Sequence, residues 1–149
     1  MGFGGPGIPI NLYRGVLSAP AGSGLSSAPG NGATVTIWDS TLTDGPRGTA
    51  GFIAPPLRPC RLQRFQLTIL SSHDSGPLGV VVEESDDGTQ WDPQNTSVFP
   101  ATYTAASGRM TYDVVRTAAQ IRFKFTNSAN VLTKWQASLD GVTDRAKAV

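Results

Sequence analysis

One histidine, one cysteine and one acidic run are the parts of this sequence with the residue types that catalysis or metal binding would need. His73 stands in "LSSHDSGP". Ser72, His73 and Asp74 are consecutive there, so their side chains cannot align as the nucleophile, base and orienter of a triad. The loop composition reads instead as a solvated β-turn. Cys60 follows Pro59 at the mouth of a strand, with no histidine supplied to activate it. It reads as a small buried hydrophobe. Together the two are too few soft ligands for a structural zinc site. The run "EESDDGTQWD" invites a calcium test. With Gly88 at loop position six, Glu83, Ser85 and Asp87 fall at one, three and five. Position twelve is then Gln94, where the loop needs a bidentate Glu. The glycines of "GFGGPG" precede any strand and "DGPRGTAG" lacks the P-loop lysine, so neither cradles a phosphate. The sequence therefore predicts no catalytic, metal or cofactor residues, and a protein that is not an enzyme.

Binding residues are easier to place. "RPCRLQR" sets Arg58, Arg61 and Arg64 three apart, and a strand would put Arg61 on the face opposite the other two. That splits the charge and makes a poor nucleic-acid patch. Arg61 and Arg64 are left either as partner contacts to acidic groups or as solvated edge residues that blunt aggregation. Trp38, Trp91 and Trp135, with Tyr103 and Tyr112, suggest a sugar-stacking face centred on Trp91 in "DDGTQWDPQN". Against it, Trp135 shares a strand face with Val131 and Leu139, which reads as core.

Residues 1–33 are rich in Gly and Pro, and Arg14 is their only charge. Glycine is entropically costly to order and proline interrupts ladders, so this segment cannot fold alone. Inside it lies the apolar island "IPINLYRGVL", where Ile8, Ile10 and Leu12 alternate with Pro9 and Asn11 at strand period. An extended, sticky, otherwise flexible piece has the character of an arm that adds to a neighbour's sheet or groove. Ile8, Ile10, Leu12, Tyr13 and Arg14 are its expected contacts.

Positioning elements begin at residue 34. "TVTIW", "GFIAPP", "RLQRFQLTIL", "LGVVVEES", "TSVFPATYT", "RMTYDVV", "QIRFKFTN" and "VLTKWQASLDGV" each read as strands. Phe65, Leu67 and Ile69 alternate with Gln66 and Thr68. Ile121, Phe123 and Phe125 alternate with Arg122 and Lys124. Val80, Val81 and Val82 suggest a central strand. Gly88 and Gly108 supply left-handed turn residues, and "TNSAN" predicts a hairpin between the last two strands. Short strands separated by Gly, Asp, Asn and Pro turns define an all-β protein, an antiparallel β-sandwich of jelly-roll or immunoglobulin-like type with an extended N-terminal arm. The expected division is an arm at 1–33, a sandwich at 34–142 and a short polar tail at 143–149.

Composition narrows the class of function. Charged residues make up 15% of the chain, against roughly 25% in ordinary soluble domains. Much neutral surface is therefore left to meet other proteins. A net charge of +1 gives no field to recruit nucleic acid. The single cysteine excludes an internal disulfide. No apolar run approaches the ~20 residues that span a bilayer, and the first residues lack the pattern of a signal peptide. The expectation is a protein made in the cytoplasm that stays in solution or joins an assembly, with neither nucleic acid nor membrane as partner.

The stretch from "VVVEESDDGTQWDP" to "IRFKFTNSANVLTKWQASLDGV", residues 80–142, resembles small β-sandwich proteins of tailed-phage virions, head decoration (cement) proteins above all. The resemblance carries no catalytic residues. It implies a virion location and an accessory capsid role, with oligomers, often trimers, strengthening the shell where subunits of the major capsid protein meet. It equally suits a tail or neck adaptor or a baseplate component, whose partner would be another virion protein. Because "S-x-D-G-x-x-W" also occurs in carbohydrate-binding sandwiches, a sugar-binding module is the alternative from a different class.

Overall fold

The computed structural model describes residues 9–23, 25–41 and 62–142. Nine strands are present among them: β1 (Pro9–Val16), β2 (Ser26–Ser27), β3 (Thr34–Asp39), β4 (Arg64–Ser71), β5 (Ser75–Ser85), β6 (Asp92–Pro93), β7 (Met110–Val115), β8 (Gln120–Asn127) and β9 (Trp135–Val142). One sheet runs β2-β1-β9-β4-β7 and the other β3-β8-β5-β6. Every pairing is antiparallel except β1 with the two-residue β2.

The wiring is nested. With β2 set aside, the first strand pairs the last (β1 with β9), the second the next to last (β3 with β8), then β4 with β7 and β5 with β6. A long hairpin rolled up in this way is the jelly-roll form of the sandwich, and it replaces the immunoglobulin-like alternative.

Alternation along each strand explains which faces meet. In β4, Phe65, Leu67 and Ile69 are buried, while Arg64 and Gln66 face solvent. In β8, Ile121, Phe123 and Phe125 point inward between half-buried Arg122 and Lys124. Aromatic rings bridge the two layers. Phe65 of one sheet lies 5.2 Å from Phe123 of the other in an edge-to-face pair, and 5.9 Å from Trp38. Phe125 and Trp135 close the other end at 4.6 Å. Such pairs add about 0.5–1.5 kcal/mol each beyond the burial of their area.

Residues 9–16 do not form an arm held out to a neighbour. They are β1, an internal strand of the first sheet, and Leu12 and Tyr13 lie in the chain's own core. The register against β9 shifts between Asn11 and Tyr13. This bulge sends two successive side chains inward where strict alternation would send one. The folded domain accordingly includes β1 and does not begin at residue 34. The Gly/Pro-rich stretch that follows is tied down locally. The Asn127 side-chain amide donates to the carbonyls of Pro29, Gly30 and Asn130, and the Gly32 amide donates to the Ser128 carbonyl at 2.8 Å.

Three further expectations are corrected. β8 and β9 are not a hairpin, because the loop between them crosses from one sheet to the other. "TSVFPATYT" forms no strand beyond a single bridge at Ala101. There the Thr96 hydroxyl accepts from the amides of Val98 and Phe99, a local turn that competes with any ladder, and Pro100 has no amide to give. Val131 is exposed in that β8–β9 loop and does not continue the buried row of Trp135, Ala137 and Leu139. "GFIAPP" and the tail at 143–149 lie outside the described residues.

Candidate binding surface

The two ends of the sandwich differ in chemistry. At one end the β5–β6 loop carries the acidic run. Gly88 takes the left-handed conformation, with φ +81°, and its amide donates to the Ser85 hydroxyl. Asp87 Oδ1 accepts from the Gln90 and Thr89 amides and from Ser85 Oγ at 2.8–3.0 Å. Those bonds hold its carboxyl far below the ordinary aspartate range. Its charge serves the loop. Asp86 and Asp92 are exposed, and no group among the described residues bonds their carboxylates.

Glu84 lies beside them and is buried. Burial alone would raise its pKa. Donors from the Gln94 side chain, the Thr117 and Ala118 amides and the Thr117 hydroxyl outweigh that and hold it below the usual value. The distances are 2.5 to 2.9 Å. Glu84 thus pins the turn between β7 and β8 to β5. These residues border an open cleft of about 680 Å³ that Val115 also lines.

At the other end, the solvent face of the first sheet holds a smaller cleft of about 310 Å³, lined by Arg14, Val16, Thr68, Arg109, Gln136 and Ser138. Each comes from a strand or its approach. Arg14 pairs with Ser138 across β1 and β9, and Thr68 with Ser138 across β4 and β9. Arg109 precedes β7 and donates to Gln136 Oε1 at 3.3 Å. Around it this sheet face is polar, with Gln66, Thr111 and Gln136 beside Asp113 and Asp140, whose carboxylates accept from the Gln66 and Asn11 side-chain amides.

Of the expected contacts in the N-terminal segment, Arg14 alone is both described and exposed. Leu12 and Tyr13 are committed to the core, Ile10 contributes its backbone to β1, and Ile8 and Arg61 lie outside the described residues. Arg64 is exposed on β4 at the acidic end, opposite Val115 and Val142. Arg109 and Gln136 were not picked out from the sequence, since nothing in "SGRM" or "TKWQAS" places them beside Arg14.

The aromatic face does not assemble. Trp38, Trp135, Tyr103 and Tyr112 are all core residues. The Tyr103 hydroxyl donates to the Gly108 carbonyl at 2.8 Å and accepts from the Ser71 amide at 2.9 Å. Trp91 is half-buried, with the Arg122 guanidinium 4.1 Å above its ring. Arg122 and Lys124 also pair with Glu83, at 2.6 and 3.1 Å. One face of the indole is thereby taken by a cation. His73 lies in the β4–β5 turn, with Nδ1 3.0 Å from the Ser72 hydroxyl, which in turn accepts from the Thr133 amide. The neighbouring Asp74 carboxylate accepts from the Ala105 amide. Ser72 and Asp74 thus tie the turn to other loops, and Cys60 lies outside the described residues.

No family model and no curated protein matches the sequence. Among solved structures, the fold is similar to that of the PBSX exported protein XepA, with a TM-score of 0.53 and 11% identity. The alignment covers 92% of this chain and 37% of that one. The chain therefore spans little more than a third of that protein's length, and what the two share is the fold.

Proposed function

We propose that this chain is a structural protein of a tailed-phage particle, a non-enzymatic head decoration protein that binds across subunits of the shell. The observation that carries this reading is the polar outer face of the first sheet, with the Arg14–Arg109 cleft set into it. Its carboxylates, Asp113 and Asp140, already accept from the Gln66 and Asn11 side-chain amides, which leaves Arg14 and Arg109 to pair with a partner that covers the face. Arginine adds directional hydrogen bonds to carboxylates or carbonyls. Two lines of likeness support the setting: the sequence resemblance over residues 80–142, and a fold shared with the PBSX exported protein XepA. Each contact has only to contribute a few kcal/mol, because repetition over a shell multiplies it. With Leu12 and Tyr13 buried in the core, the contact surface passes from an N-terminal arm to this sheet face.

The test is co-sedimentation of purified protein with separated heads and tails of the encoding phage. Saturable binding to heads, with a raised temperature of shell disruption, is the expected result. Binding to tails alone would move the protein to a tail or neck position. Binding to neither would reject a virion role.

A further inference from the structure

We propose that copies of this chain associate head to tail, the Arg14–Arg109 cleft of one copy receiving the Asp86 and Asp92 carboxylates of the next. Arg14 has no carboxylate partner among the described residues, and Arg109 has only a long bond to Gln136. Both ion pairs among the described residues go to Glu83. Asp86 and Asp92 are exposed, line the same cleft and are bonded by no described group.

The two sets cannot meet within one molecule. Val16 and Gln136 pair at one end of the first sheet, while Val115 and Val142 flank Arg64 at the other. The rise along β9 from Gln136 to Val142 is about 20 Å. Asp113 and Asp140 share the sheet face with the cleft but accept from Gln66 and Asn11, so the unbonded carboxylates Asp86 and Asp92 reach the cleft only from the far end of an identical copy. Each surface also sets an exposed apolar residue beside its charges: Leu17 directly follows Val16 of the arginine cleft, and Val115 lines the acidic one. Burying that pair adds area, and the charges set direction and register.

A contact between unlike surfaces either closes into a ring, such as a trimer, or runs on as an open chain. This rests on reading the chain as an assembly protein and names the contact its copies make with one another.

Sedimentation velocity of the purified full chain over a concentration series, at low and moderate salt, tests it. The expected result is reversible association that weakens with salt. Arg14→Glu/Arg109→Glu and Asp86→Arg/Asp92→Arg should each weaken it at least about tenfold, through lost pairs and new repulsion. An equimolar mixture of the two variants should recover association between unlike variants, because the unaltered cleft of one meets the unaltered carboxylates of the other and the two reversed surfaces pair with each other. In that mixture a ring with an odd number of copies would not close. Circular dichroism melts matching the unaltered chain show that both variants are folded. A chain that stays monomeric, or association that survives either charge reversal, would overturn the contact. Head binding is measured separately on the same proteins, so a monomer that still binds heads rejects the self-contact and leaves the virion role standing.

Discussion

The Tyr13 hydroxyl and the Trp135 indole nitrogen close over the same point at Gly15. A β-carbon there would lie 2.9 Å from the first and 3.0 Å from the second. Both rings are fully buried, so neither can swing clear without opening the core. Gly15 is the residue whose missing side chain lets the Tyr13 and Trp135 rings pack over the paired strands β1 and β9. Gly15→Ala should therefore destabilise the fold by about 1–3 kcal/mol, although the same change in an open strand would be neutral or helpful. Urea unfolding followed by Trp fluorescence measures this, and an unchanged midpoint would contradict the packing.

Deleting residues 1–17 should abolish cooperative folding. Loss of β1 removes Leu12 and Tyr13 from the core and uncovers the edge of β9. The milder Leu12→Ala should cost about 2–5 kcal/mol. Near-ultraviolet circular dichroism separates the outcomes. A sharp thermal transition from the truncated chain would show that β1 is an accessory arm after all.

How far the sequence carries differs by element, for physical reasons. β4 and β8 are legible because one face is core and the other water, and strict alternation of Phe65, Leu67 and Ile69, or of Ile121, Phe123 and Phe125, records that. β1 is legible as a strand but not as a member of its own sheet. Gly and Pro on both sides suppress the usual signal, and a bulge breaks the alternation at Leu12 and Tyr13. The β8–β9 connection reads as a hairpin because a short polar loop is all that local chemistry shows, whereas which sheet each strand joins is decided by partners far away in sequence. The arginine cleft fails for the same reason. Arg14 and Arg109 are brought together only by the order β1-β9-β4-β7.

Leu78 is held in the left-handed region, with φ +50°, and is 57% exposed. Its Cβ gains little from burial and bears a conformational cost of roughly 1–2 kcal/mol. Its amide still donates to the Thr102 hydroxyl at 2.8 Å, a bond glycine keeps. Leu78→Gly should leave the fold intact and raise its unfolding free energy by about 1 kcal/mol, read from chemical denaturation. A lower midpoint would mean that the leucine side chain makes a stabilising contact.

Acid should loosen the end of the molecule that Glu84 pins. Its carboxyl is held below its ordinary 4.5 because four donors outweigh the cost of burial. Glu83 is lowered too: burial opposes ionisation, and hydrogen bonds and charge from Arg122 and Lys124 overcome it. Since each folded value lies beneath the unfolded one, their stabilisation is fully present above about pH 4.5 and is lost as pH falls through the lower folded values. Glu84→Gln keeps one acceptor oxygen and turns an amide towards the Thr117 and Ala118 N–H groups. It should cost about 1–3 kcal/mol at neutral pH. It should also flatten the acid limb of the stability curve, so that the gap between variant and parent narrows as pH falls through the lowered Glu84 value. Chemical unfolding between pH 3 and 8 measures both. Parallel curves offset by a constant would show that the Glu84 charge plays no part in holding the turn between β7 and β8.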